Sequence, residues 1–99
     1  MSLVPVKIRI LQLISENQGI SNEDLLLLLK KEYTWDRNIN EKSIEDYLIS
    51  FKNIGMIELT DIVFDTGGKL KQFYKITDYG LNRLKLVAEK EYKQFKKIG

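Results

Sequence analysis

The chain has 99 residues, of which 43% are hydrophobic and 30% are charged, so it can form one compact core but not two. It contains no cysteine and no histidine, which excludes disulfides and thiol chemistry and removes the commonest general base and metal ligand. The formal net charge of +2 is too small to indicate nucleic-acid binding by itself. Residues 1–99 are therefore expected to form a single domain.

The first predicted helix covers about Val4 to Asn17, with Pro5 in its first turn and Gly19 as its C-terminal cap. Apolar residues occupy two sides of this helix, and such a helix is normally buried on two sides. In so small a domain this pattern predicts contact with a second subunit. The stripe assigned to that contact consists of Val4, Ile8 and Leu11.

A second predicted helix runs from about Asn22 to Tyr33, after a short extended link at residues 19–21. Ser21 and Asp24 have the spacing of a capping pair. Five consecutive leucines begin at Leu25, and core packing explains them best, with Leu26 and Leu27 at an interface as the alternative. The following loop, Thr34 to Ile39, contains the only tryptophan, Trp35, which we expect to be a packing anchor.

A third helix is predicted to start after Asn40, a good N-cap, and to end at Gly55. Ile44, Leu48 and Phe51 recur at i, i+4 and i+7 and define its inward face. Its other face carries three acidic residues and two lysines.

After Gly55 the period of the pattern changes from 3.6 to about 2, which predicts a β-hairpin with its turn at residues 65–68. Ile57, Leu59 and Val63 are expected to share one face of the outgoing strand. Side chains alternate across a strand, so the lysines of the returning strand should line one side of the hairpin. These are Lys69, Lys71 and Lys75, together with Phe73.

The last predicted helix covers about Asp78 to Lys97, with Thr77 as its cap. Roughly 20 residues span about 30 Å, which is more than the core of this domain needs. We therefore expect the helix to mediate dimerisation in the manner of a coiled coil. The residues assigned to that interface are Leu84, Ala88, Tyr92 and Phe95.

Two segments of the chain resemble winged helix-turn-helix regulators of the MarR and PadR kind. The first runs from Ser43 through Phe51 to Gly55-Met56-Ile57 and is similar to the recognition helix and its exit; the second is Tyr74-Lys75-Ile76-Thr77-Asp78-Tyr79-Gly80-Leu81. In size and ending, the chain also resembles small winged-helix proteins of crenarchaea and their viruses. The resemblance implies an α+β, mostly α fold of three helices, a two-stranded wing and a long C-terminal dimerisation helix. It further implies a homodimer on double-stranded DNA, with the third helix in the major groove and the wing on the flanking backbone.

Carried onto this chain, the resemblance assigns DNA contacts to the start of the third helix and to the wing. A carboxylate cannot neutralise phosphate, but it can accept a hydrogen bond from cytosine N4, so the acidic face of the third helix indicates selective base contacts, a shifted docking pose, or a partner other than DNA. Residues 51–99 hold ten basic and six acidic side chains, against six and eight in residues 1–50, so the positive half contains the wing and the last helix. The expected DNA-binding residues are Arg37, Asn40, Lys42, Ser43, Asp46, Tyr47, Lys69, Lys71 and Lys75.

Three function classes remain open. A sequence-selective transcriptional regulator agrees best with the predicted fold and the lysines of the wing. The alternatives are an architectural, chromatin-type DNA binder and a protein-interaction winged helix whose acidic third helix meets a basic partner. Whether the protein represses or activates, and whether a small-molecule effector binds, is undetermined by the sequence.

An enzyme is the function class with the least support. The chain shows no nucleophile with a base, no metal-ligand cluster and no phosphate-binding glycine loop, since Gly67-Gly68 is better explained as a turn. No cofactor or metal is expected. The longest apolar run is far too short to span a membrane, so we expect a cytoplasmic, nucleoid-associated protein with no membrane partner.

Overall fold

The computed structural model describes residues 4–87, which form four helices and one three-stranded antiparallel sheet. The predicted α+β class and the predicted order of helices and hairpin are confirmed. The elements are α1 (Val6–Glu16), β1 (Ile20–Ser21), α2 (Asn22–Glu32), α3 (Glu41–Asn53), β2 (Ile57–Phe64), β3 (Leu70–Ile76) and α4, described over residues 78–87.

The first helix begins two residues later than predicted, because Pro5 is its N-cap and not part of its first turn. The ψ of Pro5 is 143°, an extended conformation, and its carbonyl accepts hydrogen bonds from the amides of Ile8 and Arg9. The C-cap is Asn17, so the assignment of Gly19 as the cap was wrong. Gly19 has a φ of +89°, and its amide donates to the carbonyl of Tyr74 at 2.8 Å. Its positive φ turns the chain into the sheet.

The link before α2 forms β1, which adds a third strand to the hairpin. The prediction of a two-stranded wing did not include it. Ile20 pairs with Tyr74 and Ser21 with Phe73, giving the strand order β1-β3-β2. Only two residues pair, and their partners lie more than 50 positions away along the chain. A local pattern carries no information on such distant pairing.

The second helix has the predicted cap, since the Ser21 hydroxyl accepts a hydrogen bond from the amide of Asp24 at 3.1 Å. Leu25 and Leu29 are fully buried, which confirms core packing for these two members of the leucine run. Leu27 is 59% exposed. Helical geometry explains why Leu27 is exposed and the other two are not. Leu25 and Leu29 are four residues apart and share a helix face, whereas Leu27 is two residues from each and lies on a different face.

A β-bulge in β2 reverses the predicted facing of its second half. The register shifts between Leu59 and Asp61, so Ile57 pairs with Ile76, whereas Val63 pairs with Lys71. Paired residues in an antiparallel ladder point to the same face. Val63 therefore lies on the face opposite Ile57, and its predicted place beside Ile57 and Leu59 was wrong, because the extra residue inverts the alternation.

The motif around Thr77 joins the hairpin to α4. The Thr77 hydroxyl accepts from the amide of Gly80 at 3.0 Å, which confirms Thr77 as the cap. The Thr77 amide donates to the carbonyl of Met56 at 2.9 Å, and α4 passes close to that carbonyl. A Cβ at Gly80 would lie 2.1 Å from the Met56 oxygen. Only glycine allows the two segments to approach so closely.

Candidate nucleic-acid interface

The first turn of α3 is held by a capping box between Asn40 and Ser43. The Asn40 side chain accepts from the amide of Ser43 at 2.9 Å, and the Ser43 hydroxyl accepts from the amide of Asn40 at 3.1 Å. The same hydroxyl donates to the carbonyl of Asn38 at 2.6 Å. Both residues were expected to contact DNA, and the structure uses their oxygens to fix the start of the helix.

The outward face of α3 is a stripe of four exposed residues, Lys42, Asp46, Ile49 and Asn53. Lys42 and Asp46 form an ion pair at 3.8 Å, one turn apart. Ile49 is 54% exposed and was not among the expected contacts, because only polar positions were selected. Its spacing of seven from Lys42 could have identified it, since that spacing brings a side chain back to the same helix face.

Tyr47 lies away from this outward stripe. Its ring is stacked with that of Phe51, at 6.4 Å between centroids and 19° between planes. It is half-buried and lines a groove between α1, α3 and α4. Arg37, by contrast, is exposed in the loop before α3.

Two of the three wing lysines are paired with glutamates. Lys69 Nζ lies 3.1 Å from Glu41 of α3, and Lys75 Nζ lies 3.0 Å from Glu58 on the neighbouring strand. The hydrogen bond to Glu41 raises the pKa of Lys69 above its ordinary value. Within residues 4–87, neither Lys71 nor Arg37 forms an ion pair. Lys71 Nζ lies 5.7 Å from the centre of the Phe73 ring.

The wing tip is apolar and electrically balanced. Phe64 is 72% exposed and pairs with Leu70, which is also exposed, while Ile62 lies on the same face of the hairpin. Residues 57–76 carry three acidic and three basic side chains, a net charge of zero. The turn is held by Asp65, whose Oδ1 accepts from the amides of Gly67 and Lys69 at 2.9 Å each. Glutamates therefore offset the charge of two of the three wing lysines, and Lys71 is the wing lysine without such a pair among the described residues.

Trp35 is 58% exposed, so its expected role as a packing anchor was wrong. Its ring contacts that of Tyr33, with 5.8 Å between centroids. Tyr33 fills the buried position instead, and its hydroxyl donates to the carbonyl of Val4.

The residues expected at a dimer interface fall into three groups. Val4 and Ile8 are half-buried, whereas Leu11 and Leu84 are buried in the core of the chain and have little surface left for a partner. Ala88, Tyr92 and Phe95 lie outside the described residues, as does the second half of the predicted 78–97 helix. A groove of about 480 Å³ lies between α1, α3 and α4. Its lining includes Lys7, Ile8, Ile54, Met56, Arg83 and Val87.

The arrangement of α2, α3, the hairpin and α4 matches solved structures of transcriptional regulators. A PadR-like regulator from Bacillus cereus aligns over 94% of this chain and 86% of its own, with a TM-score of 0.73 and 24% identity. This chain has the winged helix-turn-helix fold. A MarR structure shares that fold over 92% of this chain and 58% of its own, with a TM-score of 0.63 and 19% identity.

A third structure with this winged-helix fold contains nucleic acid. Bacillus subtilis PadR in complex with operator DNA aligns over 80% of this chain and 44% of its own, with a TM-score of 0.65 and 23% identity. No protein-family model matches the sequence, and no curated protein is similar enough in sequence to count as a relative. The relationship therefore rests on the fold.

Residues 4–87 contain no group of carboxylates that could hold a metal ion. No helix within that range has the length and apolar character to cross a membrane.

Proposed function

We propose that this winged-helix protein is a dimeric, DNA-binding transcriptional regulator. The observation that supports it best is the outward face of α3, a capped helix whose exposed stripe is free of core contacts. In a fold shared with PadR in complex with operator DNA, that face is the one suited to the major groove. The hairpin would then lie on the flanking backbone. A protein acting in this way would be nucleoid-associated.

The proposed DNA-contacting residues differ in whether their charge is already paired with a carboxylate. Arg37 and Lys71 have no carboxylate partner within the described part of the chain, so they can bind phosphate without breaking an existing pair. To bind phosphate, Lys69 and Lys75 would have to break their ion pairs with Glu41 and Glu58. Lys42 and Asp46 lie on the groove face, where the carboxylate can accept from cytosine N4. Base contacts would therefore contribute more to recognition than phosphate attraction.

The groove between α1, α3 and α4 supports the proposed homodimer. Its walls are mainly apolar, and Ile54 at its edge is largely exposed. A second copy of the chain that covered this groove would bury Ile8, Ile54 and Val87. Two copies would present two α3 helices to a palindromic site, with half-sites about 34 Å apart or a multiple of that.

A protein-interaction winged helix is the second candidate, and the wing tip favours it. Ile62, Phe64 and Leu70 expose apolar surface on a hairpin whose net charge is zero. Exposed apolar patches commonly mark contact with another protein. The architectural alternative has less support, because non-specific DNA binding needs a strongly basic surface, and α3 carries three acids against two lysines.

Fluorescence anisotropy with duplex DNA tests the proposal. The full chain is titrated against a random duplex and against a duplex enriched from a random pool, at about 50 and about 200 mM salt. Tighter binding to the enriched duplex at both salts supports a regulator. Equal binding with a steep salt dependence would instead indicate an architectural protein, and no binding at low salt would favour a protein partner.

A further inference from the structure

Ile49 lies in the middle of the exposed stripe of α3 and is the apolar residue among the four that form it. Asp46 precedes it by three residues and Asn53 follows by four, so all three project from the same side. The side chain is 54% exposed, whereas the inward residues Ile44 and Leu48 are almost completely buried. The core therefore does not account for an isoleucine at this position.

An exposed isoleucine on its own is ordinary in a soluble protein, and its position is what distinguishes Ile49. The residues beside it on the stripe offer a charge pair at Lys42 and Asp46 and an amide at Asn53. Each of these can hydrogen-bond to a base edge. Isoleucine cannot, and on a face that enters the major groove it would leave any donor or acceptor opposite it without a partner.

The major groove offers one apolar group that matches such a side chain, the 5-methyl of thymine. We propose that Ile49 selects sites with a thymine opposite the middle of α3, by packing against that methyl group. This inference rests on the proposed DNA-binding function and deepens it, because it names a base at one position of the site. Asp46 and Asn53 would specify the neighbouring base pairs through hydrogen bonds.

Replacing thymine by deoxyuridine tests the proposal, because it removes the methyl group and leaves base pairing intact. The full chain and an Ile49→Ala variant are titrated against the enriched duplex, with each thymine of the half-site replaced in turn. For the unmodified protein, we expect one position at which deoxyuridine weakens binding about three- to fivefold, the effect of losing one buried methyl contact. The Ile49→Ala variant should bind the thymine and deoxyuridine duplexes equally at that position, as a double-mutant cycle requires.

A Leu27→Ala variant is the matched control, since Leu27 is a similarly exposed aliphatic residue on α2. It should keep the discrimination between thymine and deoxyuridine, and circular dichroism should show that both variants fold. If no thymine position discriminates, or if Ile49→Ala retains the discrimination, the inference is wrong while DNA binding stands. If no duplex from the pool is bound at all, the proposed function fails, and this inference fails with it.

Discussion

At the scale of single residues, close approaches and paired charges determine which positions tolerate change. Gly80 lies against the carbonyl of Met56, which also accepts from the amide and hydroxyl of Thr77. Arg9 bridges α1 and α2 through two hydrogen bonds to Glu32, at 2.7 and 3.0 Å. Bidentate pairs of this kind are stronger than single contacts.

Replacing Gly80 with alanine should destabilise the protein, because the new Cβ would lie 2.1 Å from the Met56 oxygen. We expect a loss of about 1–3 kcal/mol, the usual cost of overpacking, and a fall in Tm of about 4–8 °C for each kcal/mol. Thermal unfolding followed by circular dichroism measures it. Gly67→Ala is the control, since a Cβ there meets its nearest atom at 3.4 Å and should change Tm little. An unchanged Tm for Gly80→Ala would show that α4 can shift away.

Glu32→Gln should cost about 1 kcal/mol at neutral pH through loss of the charged pair with Arg9. The hydrogen bond from Arg9 lowers the pKa of Glu32, and burial opposes that effect. A lowered pKa means that the stabilisation is present above the unfolded-state pKa and is lost as pH falls through the folded-state pKa. Urea unfolding at several pH values should therefore show the two proteins converging in acid. A difference in unfolding free energy that stays the same at every pH would show that the effect comes from packing and not from the charged pair. Glu16→Gln, which removes only a 3.7 Å contact with Arg9, is the control.

At the scale of elements, the capped α3 and the charge-balanced wing have different parts in the proposed recognition. Helix α3 presents its stripe on a first turn fixed by Asn40 and Ser43. The wing is tied to that turn by the Lys69 to Glu41 pair. A duplex that reached α3 would therefore meet a hairpin in which two of the three lysines, Lys69 and Lys75, are already paired with glutamates.

Alanine substitutions in the wing should distinguish free from paired lysines. Lys71→Ala should weaken binding to all duplexes and reduce the slope of log K against log salt by about 1, because it removes one phosphate contact. Lys69→Ala should have a smaller effect, since Glu41 offsets its charge, and Glu41→Gln should strengthen binding. Anisotropy titrations over a salt series measure all three. Equal losses of DNA affinity for Lys71→Ala and Lys69→Ala would contradict the distinction between free and paired lysines. Lys30→Ala on α2 is the control.

At the scale of the whole molecule, the proposed dimer depends on the groove between α1, α3 and α4. Ile54 lies on the exposed apolar edge of this groove. Substituting it by aspartate should dissociate the dimer, because dimerisation would bury the new charge without a partner, which is costly. Sedimentation velocity should show a monomer that keeps its helical content. Leu27→Asp on α2 introduces the same charge outside this groove and should leave the dimer intact. A dimeric Ile54→Asp protein would place the interface elsewhere.

Local pattern was enough to predict most of the fold. Caps at Ser21, Asn40 and Thr77 and the spacing of Ile44, Leu48 and Phe51 were all confirmed, because capping and helical periodicity act within a few residues. The hairpin was predicted for the same reason, from period-2 alternation and a glycine turn. Homodimerisation and the assigned DNA contacts stay predictions.

Only the tertiary structure decided which charges are free and which apolar residues are exposed. The pairing of Lys69 with Glu41 joins residues 28 positions apart, and the bulge that reverses Val63 depends on its partner strand. The sequence by itself determined the helices and the hairpin, since these follow from short-range sterics and hydrogen bonding. The third strand, the pairing of two wing lysines with glutamates and the close approach of Gly80 to Met56 required the folded chain, because distant segments meet only there.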